Sequence, residues 1–155
     1  MRLMDKMQKQ NSFETACKHI TETILGFKDE IASTCKELQD ADWIFDKGVA
    51  KACKADENGK KKRCKVGIKC QSKATLSNDA ALEIWYMFMA HFNDSYLSNI
   101  ERLAENEEMG RYVFSAKNNF GDEIKCVIYT PGEWNIPVIS ITGYVGSRYR
   151  NSDID

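Results

Sequence analysis

Glu123-Ile124-Lys125 sets a carboxylate and an ammonium two residues apart at the start of an alternating segment. In metal-dependent nuclease sites such a Glu-x-Lys half works with a second carboxylate on the preceding strand. The acids hold Mg²⁺ and the lysine helps to activate water. Here the preceding segment offers Ser115, Asn118 and Asn119 where an aspartate is needed, so the pair reads as ordinary strand surface. The two histidines are His19 and His91. His91 falls in an apolar helical stretch beside Phe92, with Asp94 three residues on and no serine or cysteine tied to it locally, as for a boundary histidine rather than a catalytic base.

Cysteine chemistry is the next candidate. Cys53, Cys64 and Cys70 lie among lysines, which can acidify a thiol into a metal ligand or redox sensor. Ten and five residues separate them, without the paired C-x₂₋₄-C knuckle of zinc sites. Cys64 and Cys70 also alternate with polar residues as buried small apolar groups do. The glycines form neither G-x-G-x-x-G nor G-x₄-G-K-[ST], so no phosphate loop is expected. No cofactor or metal is expected, and the chain reads as a binding protein more than an enzyme.

Charge is the stronger signal. From Lys47 to Lys73 there are ten Lys/Arg against Asp56 and Glu57, within a chain whose net charge is −1. Everything outside this stretch is therefore acidic, and such segregation attracts polyanions or acidic protein surfaces. The candidate contacts are Lys54, Lys60, Lys61, Lys62, Arg63, Lys65, Lys69 and Lys73. Arg148 and Arg150 join them from Tyr144-Val145-Gly146-Ser147-Arg148-Tyr149-Arg150, a mixture of aromatics and arginines suited to stacking on single strands or to protein hot spots. No helix-turn-helix, zinc-finger or RNP-type motif accompanies them, which argues against sequence-specific base reading. A lysine-rich strand edge also protects against aggregation without any ligand.

These residues need elements to hold them. Asn11 with Glu14 suggests a capping box for a helix whose stripe runs Phe13, Cys17, Ile20, Ile24, Phe27, Ile31, continued by Cys35 and Leu38, with Gly26 as a possible bend. Asp40-Ala41-Asp42 is expected to open a shorter helix through Cys53, ended by Asp56-Glu57-Asn58-Gly59. Cys64, Val66, Ile68 and Cys70 then alternate with Lys65, Gly67, Lys69 and Gln71, a strand with one apolar and one basic face. Ser77-Asn78-Asp79 caps a central apolar helix expected to run from Ala80 to Glu107. The last third reads as a meander with strands at 112–117, 123–130 and 138–145.

The expectation is one domain over residues 1–155, frayed at 1–10 and 147–155. Its class is α+β, with N-terminal helices and a central apolar helix packed on a small, mainly antiparallel sheet. Arg2 to Lys6 leads into polar residues rather than an apolar leader, and no apolar run approaches the length of a bilayer span, so a cytoplasmic protein with no membrane partner is expected. The leading functional expectation is a small non-enzymatic protein whose basic face binds DNA, RNA or a nucleoprotein complex. A phage or mobile-element inhibitor of a host nuclease, of anti-CRISPR or anti-restriction type, would act this way. The alternatives are a protein-only immunity protein or antitoxin that binds and inhibits a partner protein, a host protein being one candidate, and a small hydrolase whose site no motif reveals.

Overall fold

A computed structural model describes residues 12–55, 61–133 and 135–148, and at 51–66 and 147–148 the backbone alone. Ser12 opens helix α1 (Phe13–Thr34): its hydroxyl accepts the Thr15 N–H at 3.3 Å. The cap is thus one residue later than the capping-box pattern suggests, and Asn11 lies outside the described residues. Phe13, Ala16, Ile20, Ile24, Phe27 and Ile31 form the buried stripe. The helix continues through Gly26, where an added Cβ would meet nothing within 4 Å. Cys35 ends it by donating its N–H to Ile31 O, and Leu38 stays buried through a 3-10 turn, Lys36–Leu38.

Residues 40–53 are not a helix. They enter strands β1 (Ile44–Asp46) and β2 (Val49–Ala55), both paired with β3 (Lys61–Ser72). Between β1 and β2, Asp46 Oδ1 accepts the Gly48 N–H at 2.8 Å, and Gly48 takes φ 76°, a left-handed conformation that no helix interior accommodates. The Asn58-Gly59 signal therefore falls in the connection between two paired strands, although residues 56–60 lie outside the described set.

Helix α2 (Asn78–Phe92) starts at Ser77, whose hydroxyl accepts the Ala80 N–H, and is much shorter than the apolar pattern predicts. Asn93 to Ser95 turn the chain: Ser95 Oγ donates to Phe92 O at 2.9 Å and accepts the Leu97 N–H at 3.0 Å. What reads as the end of a long helix is strand β4 (Asn99–Leu103) and a 3-10 segment, Ala104–Met109, closed by Gly110 at φ 83°. The meander follows as β5 (Arg111–Lys117), β6 (Glu123–Tyr129) and β7 (Val138–Arg148). β7 extends past the expected strand end, so Ser147 and Arg148 are paired backbone, while 149–155 lie outside the described residues.

The protein is α+β. One antiparallel sheet runs β1-β3-β7-β6-β5-β4, with β2 prolonging the β1 edge along β3. The β3–β7 pair joins the N-terminal strands to the meander. Both helices cover one face. α1 lies over β3 and β7, where Gly143 lets Ile20 and Ile24 come down onto the sheet. α2 lies over β5, with Trp85 on Phe114 (ring centroids 5.0 Å) and Phe88 against Phe27 edge-on at 5.5 Å. Ile124, Cys126 and Ile128 are fully buried beneath them, as their alternation predicts. Among the described residues, the other sheet face carries no helix.

Candidate polyanion-binding interface

The basic stretch is built on the β2–β3 hairpin. Lys51 and Lys54 belong to β2, and Lys61, Lys62, Arg63, Lys65 and Lys69 to β3. Across the ladder Lys61 faces Ala55, Arg63 faces Ala52 and Lys65 faces Ala50. In register, each of these three positions has an alanine opposite it on β2. On its other side β3 meets β7, where Arg63 pairs with Arg148. The backbone therefore gathers Lys54, Lys61, Lys62, Arg63, Lys65 and Arg148 at one end of the sheet. Lys60 and Arg150 lie outside the described residues.

The structure sets two of the candidates apart. Three steps along β3 from Lys65 to Ile68 match two along β7 from Val145 to Gly143, a bulge centred on Gly67 at φ 75°. The alternation from Cys64 to Cys70 does not run through it unbroken. Beyond the bulge Lys69 sits between Asp46 on β1 and Thr142 on β7. Lys73 follows the far end of β3, about 30 Å along the strand from Arg63 at the usual rise per residue. Lys47 and Lys51, by contrast, belong to the hairpin edge. A helix over 40–53 would not place them on a sheet edge, and Ala50-Lys51-Ala52 at the start of β2 is the local signal of a strand.

Lys69 opens a polar row across the helix-free face. Asp46, Lys69, Thr142, Lys125, Ser115 and Glu101 are successive cross-strand partners from one edge to the other. Within it the Glu-x-Lys pair is accounted for. Ser115 Oγ donates to Glu123 Oε2 at 2.7 Å, and Lys125 Nζ stands 4.0 Å from the same oxygen and 5.9 Å from the Tyr144 ring centre. Burial, then the Glu123 charge, pushes the Tyr144 phenol up. Where a second carboxylate would complete a metal site stands the Ser115 hydroxyl, and no group of three His, Cys, Asp or Glu suited to a metal occurs among the described residues.

His91 Nδ1 lies 2.6 Å from Glu30 Oε2 with its ring edge-on to Phe27, tying α2 to α1; His19 rests on Tyr96. Cys35, Cys70 and Cys126 are buried thiols. Burial, helped by Glu83 and Glu37, pushes Cys35 up to about 11, and burial raises Cys70 and Cys126 as well. Such groups do not offer thiolates at neutral pH. An open pocket of about 230 Å³ beside the start of α2 is lined by Asn78, Glu108, Gly110, Thr130 and Glu133 among others. Asn78 Oδ1 accepts from Tyr112 and Thr130 there. Two carboxylates in its wall make it unsuited to an anion.

No protein-family model matches the chain, and no curated protein matches it in sequence. Among solved structures it is similar to the proposed lipoprotein LppA of Mycobacterium tuberculosis, with a TM-score of 0.70 at 15% identity over 99% of this chain and 87% of that one. It is also similar to a DUF4853 family protein of Actinomyces odontolyticus, with a TM-score of 0.56 at 8% identity over 89% and 71% of the two chains. At these identities the likeness is one of fold.

Proposed function

We propose that this is a non-enzymatic binding protein whose β2–β3 hairpin, with the adjoining end of β7, holds a polyanion. Nucleic acid, free or within a nucleoprotein complex such as a loaded nuclease, is the ligand its chemistry favours. One observation carries the reading. Most cations of the basic stretch in an otherwise acidic chain converge at one end of one sheet, where alanines stand opposite Lys61, Arg63 and Lys65 in register and Arg148 stands opposite Arg63. Lysines without matched acids neutralise phosphates and release condensed counterions.

The test is fluorescence anisotropy with single-stranded DNA, duplex DNA and RNA at low and high salt. Binding that falls steeply with salt is expected. The quadruple variant K60E/K61E/K62E/R63E should lose it while its circular dichroism stays unchanged. Unaltered affinity in that variant moves the site elsewhere; no binding to any of the three at low salt leaves only the nucleoprotein form of the proposal.

A second reading concerns location. No helix among the described residues is long and apolar enough to cross a membrane. The likeness to a proposed lipoprotein favours a cell-envelope setting over the cytoplasmic one expected from sequence. Fractionation of the native host distinguishes the two: recovery with the envelope supports this reading and recovery in the cytosol removes it.

A further inference from the structure

The two edges of the sheet differ in a way that the polyanion reading does not use. Among the described residues, ladders run on one side of β1 and β2, to β3, and on one side of β4, to β5. Large apolar residues sit exposed on both edges: Ile44 at 64% and Val49 at 61% on one, Leu103 at 45% on the other. Added strands cover such edges.

Direction and charge decide which strand. The path β1-β3-β7-β6-β5-β4 has six positions and every pair is antiparallel, so its two edges run in opposite senses. A second copy set alongside in the same orientation therefore brings its β2 edge antiparallel to β4, the geometry of every other pair in the sheet. The β2 edge carries Lys47, Lys51 and Lys54 against Asp46. The β4 edge and the segment after it carry Glu101, Glu105 and Glu108, all exposed, while Glu107 is taken by Arg102. Pairing like edges would set lysine against lysine or glutamate against glutamate, which is unfavourable. Pairing unlike edges matches opposite charges.

We propose that copies of this chain associate end to end, the acidic β4 edge of one pairing with the basic β2 edge of the next. The contact is heterologous, so addition continues beyond two copies. It involves few residues and is correspondingly weak and salt-sensitive.

Nuclease-treated, nucleic-acid-free protein is examined by sedimentation velocity from about 10 µM to about 1 mM, the range of a weak contact. The weight-average mass should rise past that of a dimer and fall back in about 0.5 M salt, where charges are screened. K47E/K51E and E101K/E105K should each remain monomeric where the wild type associates. An equimolar mixture of the two should regain the mass, since each then offers an edge complementary to the other. V49K removes the exposed apolar contact by a second route and should also stay monomeric. Monomer at every concentration, a mass that stops at two copies, or wild-type association in either charge variant overturns the proposal. Because no polyanion is present, none of these outcomes bears on the hairpin's ligand.

Discussion

Arg63 on β3 and Arg148 on β7 are direct cross-strand partners, and Ala52 stands on the other side of Arg63. Like charges so placed repel, at about 0.2–1 kcal/mol for a cross-strand pair. A phosphate bridging them would turn that repulsion into attraction. Replacing Arg148 with Thr should therefore raise the melting temperature by about 0.5–4 °C while weakening oligonucleotide binding. Thermal unfolding and anisotropy on the same preparation check both halves. Stabilisation with binding intact would remove Arg148 from the interface.

Gly143 tests the seat of α1. A Cβ there would meet Ile24 Cδ1 at 2.7 Å and come still closer to Ile20 Cγ2, both on fully buried side chains that have little room to move. Gly143→Ala should destabilise the protein by about 1–3 kcal/mol, the usual range for overpacking a core. Urea unfolding measures it; a midpoint equal to wild type would mean that α1 rides higher over β7 than the geometry shows.

Asp122 holds the β5–β6 turn to the end of β7. Its buried carboxylate accepts the Gly146 N–H at 2.9 Å and Asn118 Nδ2 at 3.0 Å, while Asn118 Oδ1 accepts the N–H groups of Phe120 and Asp122. Asp122→Ala leaves those donors without this acceptor and should cost about 1–3 kcal/mol. Asp122→Asn, which retains a carbonyl oxygen, should cost less. Hydrogen exchange at the Gly146 amide gives the local readout and should accelerate in the alanine variant.

The Cys35 thiol sets an alkaline limit on stability. Its pKa rises from 9.0 to about 11 on folding because burial disfavours the thiolate, and Glu83 and Glu37 disfavour it further. Below pH 9 the thiol is protonated in both states and contributes nothing to the pH dependence. Above 9 the unfolded chain releases the proton and the folded one keeps it, so stability declines until about pH 11. Cys35→Ala should make that part of the profile less steep, with Cys70 and Cys126, also raised by burial, supplying the remaining decline. An unchanged slope in urea titrations between pH 9 and 11 would assign the decline to other groups.

Local pattern was readable where one face of an element is buried. The stripe from Phe13 to Ile31, the alternation of Ile124, Cys126 and Ile128, and the Ser77 cap each appear where the sequence places them. It misled where short apolar clusters fit two periods. Trp43, Ile44, Phe45 and Val49 fit a short apolar helix, but β3 offers Ile44, Phe45 and Val49 a ladder and Gly48 turns the chain into it. Ile100 and Leu103 continue the α2 stripe on paper, yet pairing with β5 satisfies their backbone in a way that a solvent-exposed helix end does not.

The same division holds for the candidate site. Sequence alone set the charge segregation, the α+β class and the absence of a recognisable phosphate loop, because these follow from residue types and their local spacing. Only the tertiary structure decided that Arg63 meets Arg148, that alanines face Lys61 and Lys65, that Lys73 lies far along the strand, and that the two sheet edges carry opposite charge. Each of these depends on register between strands distant in the chain, and register is fixed by which faces are buried together and where glycines such as Gly67 allow a bulge.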